Sequence, residues 1–143
     1  MEYKIEDNHI FLKLENGEEI MNSLKLLSDK ENIHCALITG IGAVNEIEIG
    51  LFDIKNKEYV KNKLEGDYEL TSLQGNISLK DDNSFVHVHV NVSDEKYRVF
   101  GGHLFNAKIT ATGEFIITVF KNKINREYDE KTGLHLWDLN HCG

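Results

Sequence analysis

Phe85-Val86-His87-Val88-His89-Val90-Asn91-Val92 is the stretch that decides how this chain folds. Side chains on a β-strand point to alternate faces with period two. Val86, Val88, Val90 and Val92 therefore share one face, and Phe85, His87, His89 and Asn91 share the other. Four β-branched residues in alternation define a strand half-buried on its valine side. Both imidazoles then project from the opposite side, spaced so that they can reach one ion.

Downstream, Asp94 to Arg98 reads as a hairpin loop, and residues 99–111 read as the return strand. If residue 93 pairs with 99, His89 faces His103 and His87 faces Phe105. Directly opposed Cβ atoms in an antiparallel pair lie ~4.5–5.5 Å apart. Three imidazoles would then meet in a patch also lined by Phe85, Phe105 and Ala107. A slip of one residue would send His103 to the other face, and the Gly101-Gly102 pair leaves room for such a bulge.

Upstream, residues 68–79 form a long strand interrupted at Gly75, where a bulge would fit. Asp81-Asp82-Asn83 turns it back. Residues 9–14, 33–39, 44–53, 58–64 and 114–121 read as further strands, and Gly40-Ile41-Gly42-Ala43 bends the chain between two of them. Residues 124–139 are irregular or short-stranded. Ile20, Leu24 and Leu27 recur at helical spacing and make residues 18–31 an amphipathic helix. The expected class is α+β: a mostly antiparallel sheet or open barrel, with the N-terminal helix packed on one face or opening. The chain reads as one domain, 1–143, without repeats or linkers. At 143 residues, such a domain buries roughly 68–70% of its unfolded surface.

Composition narrows the function. Asp and Glu number 24 against 16 Lys and Arg, a net charge of −8, which argues against direct nucleic-acid binding and against anionic membranes. The lysines from Lys55 to Lys63 read as a solvated loop or an edge strand guarded against pairing. Cys35 sits in an apolar run and reads as a buried thiol; with Cys142 near the end of the chain, no disulfide framework emerges. No signal-like or membrane-length apolar segment opens the chain, so the cytoplasm is the default compartment. Motifs of phosphate-binding, serine-hydrolase and dithiol chemistry are absent.

Three neutral imidazoles suit Zn²⁺ at ~2.0–2.1 Å each and leave a position for water, as in catalytic rather than structural zinc. Other divalent transition metals accept the same donors. The competing reading places His87 and His89 on a solvated or subunit-facing surface. His9, His34, His135 and His141 read as surface or strand-end residues.

The segment Gly66-Asp67-Tyr68-Glu69-Leu70-Thr71-Ser72-Leu73-Gln74-Gly75-Asn76-Ile77-Ser78, followed by Val86-His87-Val88-His89-Val90 and then Gly101-Gly102-His103-Leu104, resembles the plant-and-prokaryote-conserved (PPC) domain. Gly40 with Gly42, and Arg126-Glu127-Tyr128-Asp129 with Thr132-Gly133-Leu134, extend the resemblance over about residues 9–139. It implies an α/β fold with an antiparallel sheet, a homotrimer and, in stand-alone prokaryotic members, a metal on His87, His89 and His103. Plant members bind DNA through an AT-hook-like segment outside the domain. This chain has no proline and no such segment, so a DNA-binding role rests on family analogy. Glu69 reads as a buried acid hydrogen-bonding a ligating histidine, as a general base, or as an interface acid. Two functions follow: a small-molecule metalloenzyme or metal-dependent binder, or an oligomeric regulatory and interaction module.

Overall fold

A computed structural model describes residues 1–140; His141 and Cys142, singled out above, lie outside them. The elements are β1 (Glu2–Glu6), β2 (His9–Glu15), α1 (Ile20–Lys30), β3 (Ala36–Asp53), β4 (Glu58–Leu64), β5 (Tyr68–Lys80), β6 (Asn83–Ser93), β7 (Val99–Val119), β8 (Asn125–Asp129) and β9 (Leu134–Asp138). The strands form one sheet, and β3, β5, β6 and β7 close a ring of pairings within it. Every pairing is antiparallel except a single parallel contact between Leu79 of β5 and Asn125 of β8. The expected class, mostly antiparallel sheet with one packed helix, is the one observed.

Turn chemistry sets the register around the histidine strand. Between β5 and β6, Lys80 pairs with Asn83, and the two connecting residues, Asp81 and Asp82, both have positive φ (49° and 59°). That is the two-residue turn whose twist matches its flanking strands. Between β6 and β7, the Asp94 carboxylate accepts hydrogen bonds from the backbone N–H groups of Lys96 and Arg98 and from Arg98 Nε. The five-residue loop so closed pairs Ser93 with Val99, and hence His89 with His103, as the sequence predicts. Beyond that pair β7 parts from β6 and joins β3, with His103 against Gly50 and Leu104 against Ile49. The ladder does not extend to a His87–Phe105 pair.

Bulges account for the other departures. β3 runs unbroken through Gly40–Gly42, absorbing the expected bend as an irregularity in its pairing. The bulge in β5 lies between Leu70 and Ser72 rather than at Gly75, which lets both Leu70 and Leu73 reach the core. β7 is likewise one strand where two were expected. Shifts in the β3–β7 register between Asn45 and Ile49 bring both Leu104 and Ala107 into the core, so Ala107 leaves the histidine patch. β4 pairs only with β3, the edge position its lysines anticipate. β1 escapes the sequence reading because it is a short, largely exposed strand of five residues whose alternation rests on Tyr3 and Ile5 alone.

Helix α1 has no side-chain cap at Glu19. Its stability comes from burying Ile20, Leu24 and Leu27 against the sheet, where Val88, Val90 and Val92 also lie. Leu24→Ala is expected to cost about 2–5 kcal/mol through lost burial and a residual cavity, read as a lower urea midpoint. A midpoint equal to that of the wild type would mean that the helix is not part of the core. Among the described residues, no helix is long and apolar enough to cross a membrane.

Candidate metal centre

The valine face of β6 packs inward, so the pleat turns His87 and His89 outward. Pairing of β6 with β7 sets His103 beside His89 on that same face. Gly102 permits the crossing just before His103: a Cβ there would sit 2.8 Å from the Gly50 carbonyl oxygen of β3. The three ring centroids form a nearly equilateral triangle, 5.2 Å for His87–His89, 5.1 Å for His87–His103 and 5.4 Å for His89–His103. One nitrogen from each ring lies within 4.8 Å of the others.

The spacing suits an ion. His87 Nε2 and His89 Nε2 stand 3.3 Å apart. Two nitrogens at ~2.0–2.1 Å from a tetrahedral zinc are separated by about 3.3 Å. The outer limit of 4.8 Å is wider than that edge, so a bound ion would draw the third ring in. His103 Nδ1 is buried and has no hydrogen-bond partner, leaving a polar atom that a metal or a ligand would satisfy.

Electrostatics favour neutral imidazoles, the form that ligates metals. Burial, then His103, Arg126 and His89, lower the His87 pKa to about 4. Burial, then His89 and Lys61, lower that of His103 to about 4. The unfolded chain therefore binds more protons than the folded one between these values and ~6.5, the free histidine value. The metal-free protein is expected to hold this contribution fully above pH ~6.5 and to lose it as pH falls toward 4. His87→Ala should flatten that part of a plot of urea midpoint against pH; an unchanged slope would count against the burial.

Two of the rings, His87 and His103, border a cavity of about 430 Å³, lined also by Tyr59, Phe85, Phe105 and Arg126 among others. It opens where β6 and β7 part, and the β8–β9 hairpin covers it through Leu134 and Leu136. His103 packs 4.8 Å from both Tyr59 and Phe105, centroid to centroid. His135, read from sequence as a surface residue, also faces this cavity. Arg126 and Tyr59 were not identifiable as site residues from local sequence; the only signal for Arg126 was its place in the C-terminal PPC-like motif.

Glu69 does not join the histidines within the chain. It is exposed and pairs with Ser93 and Ala43, five residues along β5 from the Gln74 that faces His89, or roughly 16 Å at ~3.3 Å per residue. Among the described residues, no carboxylate hydrogen-bonds any of the three rings.

A mostly antiparallel sheet with one helix and a strand-borne histidine triad defines a compact class of domain. The chain belongs to the Plants and Prokaryotes Conserved (PCC) domain family, whose model matches residues 1–121. A solved structure from Bacteroides thetaiotaomicron, named conjecturally as a DNA-binding protein, superposes with a TM-score of 0.95 at 29% identity, covering 98% of each chain. A plant- and prokaryote-conserved protein from Pyrococcus horikoshii is 38% identical, with a TM-score of 0.85 over 96% of this chain and 94% of that one. A metal-containing protein from Archaeoglobus fulgidus is 36% identical, with a TM-score of 0.85 over 96% of each. Comparison with proteins of curated function returns no match.

Proposed function

We propose that this protein is a cytoplasmic, homotrimeric, single-domain metal-binding protein that holds one divalent ion, zinc by its donor set, on His87, His89 and His103. The ion faces a small-molecule cavity, and the protein acts there as a metalloenzyme or a metal-dependent binder. The observation that carries the reading is the 3.3 Å approach of two Nε2 atoms with a third imidazole closing the triangle. The metal-containing relative from Archaeoglobus fulgidus supports it. Zinc on three imidazoles supplies Lewis-acid chemistry, polarising a carbonyl or activating water. Glu69 stands too far along β5 to serve as base for its own chain's histidines; an interface role suits its exposure better.

The trimer draws support from the outer sheet face. Phe11, Leu37, Ile41 and Ile116 are all exposed there. Phe11 pairs with Ile116, which pairs with Thr39, which lies between Leu37 and Ile41 on β3. A contiguous apolar patch of this kind is the mark of an association surface, and the family resemblance points to further copies of this chain as its occupant.

Metal analysis of protein purified without a histidine tag tests the central claim. One ion per chain is expected, with light scattering giving three chain masses. Protein that carries far less than one ion per chain after exposure to zinc, and no more than its His87→Ala variant, would overturn the metal reading.

A second reading, an oligomeric interaction module acting on DNA, has the name of the Bacteroides relative in its favour and the net charge of −8 against it. Tight DNA binding that weakens steeply with salt would establish it.

A further inference from the structure

The cavity beside the histidines holds a cation that has no counter-charge among the described residues. Arg126 of β8 is about half-buried, and burial lowers its pKa, opposed only by the field of Tyr59. Its Nε donates to Ser78 Oγ at 2.7 Å, its Nη1 to the His135 carbonyl at 2.8 Å and its Nη2 to Asn76 Oδ1 at 2.9 Å. All three acceptors are neutral. A guanidinium has five N–H donors, so two remain, one on each Nη, with no partner among the described residues.

The group is held in place before any ligand arrives. Its carbon lies 4.8 Å from the Phe85 ring centroid and 5.9 Å from that of Trp137, and the three hydrogen bonds fix its plane. A strut between β5 and the β8–β9 hairpin would need donors only. It would not need a permanent charge, which burial penalises unless something pairs with it.

The rest of the wall has the same sign. The chain carries 24 Asp and Glu against 16 Lys and Arg, yet among the described residues no carboxylate lines this cavity, while Lys80 and Arg126 do. Lys61, whose Nζ lies 3.9 Å from the Phe105 ring centroid, does not add to this charge, because it pairs with Glu48 at 3.5 Å. The remaining lining is largely aromatic and aliphatic, including Phe85, Phe105 and Leu136. At about 430 Å³, the volume falls within the ~300–1,000 Å³ of small-molecule pockets.

We propose that this cavity binds a small organic anion, a carboxylate or phosphate ester with an apolar or planar body, whose head group pairs with Arg126 and whose body lies against Phe85 and Phe105. A guanidinium with two free N–H groups pairs well with either oxyanion. The proposal names the ligand class of the site described above. It rests on the metal reading only for the idea that the same ligand also meets the ion.

The test uses metal-free, full-length protein and three probes of one shape: benzoate, phenyl phosphate and neutral benzyl alcohol. NMR follows the Arg126 Nε–H, the His87 and His103 rings and the Phe85 ring. At least one anion is expected to shift these signals in a saturable way, and benzyl alcohol is not; whichever anion binds more tightly identifies the head group. Arg126→Gln should weaken binding by about tenfold or more, with Arg126→Lys recovering part of the loss. No shift from either anion, an equal response to benzyl alcohol, or undiminished binding by a folded Arg126→Gln variant would each overturn the proposal. If that variant does not fold, the wild-type titrations still decide. Because no metal is present, failure here leaves the metal reading standing, and failure to load zinc leaves this one standing.

Discussion

Replacing His103 with alanine is expected to weaken zinc binding by more than about 100-fold while leaving the chain folded. Removing a residue that merely orients a metal ligand typically costs about 10–100-fold, and His103 would be a ligand itself. It is the only member of the triad supplied by β7, so its loss leaves two imidazoles on one strand, which hold an ion poorly. The fold should survive because the ring is only partly buried, between Tyr59 and Phe105, and its neighbours in the core, Leu104 and Val90, are untouched. Calorimetric titration with zinc, alongside circular dichroism, separates the two effects. His34→Ala serves as the control, since that residue lies outside the triad and should bind zinc as the wild type does. Equal affinity in the His103→Ala protein would remove β7 from the site.

Gly75→Ala is expected to be the most damaging single-carbon change near the site. A Cβ at Gly75 would lie 2.2 Å from Val88 Cγ1, 2.4 Å from the His87 carbonyl oxygen and 2.8 Å from Val88 Cα. Two of these atoms are backbone in β6, which is held between β5 and β7, so neither can move without disturbing the ladder. Overpacking typically costs about 1–3 kcal/mol, occasionally more, and this position should reach or exceed the top of that range. A melting temperature lower by on the order of 10 °C is the corresponding readout. Since the displaced strand carries His87 and His89, zinc affinity should fall as well. A variant that melts with the wild type would mean that β5 and β6 can separate freely at this point.

How much was legible differs from element to element. The valines of β6 alternate without exception, and a period-two pattern has one structural meaning, so both the strand and the shared face of His87 and His89 could be read directly. The position of His103 was half legible: pairing residue 93 with 99 across Asp94 to Arg98 sets it beside His89, as observed, but a one-residue slip at Gly101-Gly102 would have turned it to the other face, and only the structure fixed the register. The helix was visible in Ile20, Leu24 and Leu27. Glu69 was harder. Alternation correctly turned it away from Leu70, but its distance from the histidines depends on how β5 runs beside β6. Arg126 stands some twenty residues beyond the nearest triad histidine in a polar segment, and nothing in its neighbours announces that the hairpin folds back over the cavity.

The boundary follows from the range of the forces involved. Side-chain alternation, turn conformations and the spacing of two histidines on one strand are set by covalent geometry over a few residues, and the sequence alone determined them. The bulges near Gly40 and Leu70, the divergence of β7 from β6 after His103, and the closure of β8 and β9 over the aromatic wall depend on strands far apart in the chain competing to pair and bury their apolar faces. Only the tertiary structure decided those, and with them the cavity and the place of Arg126 in its wall.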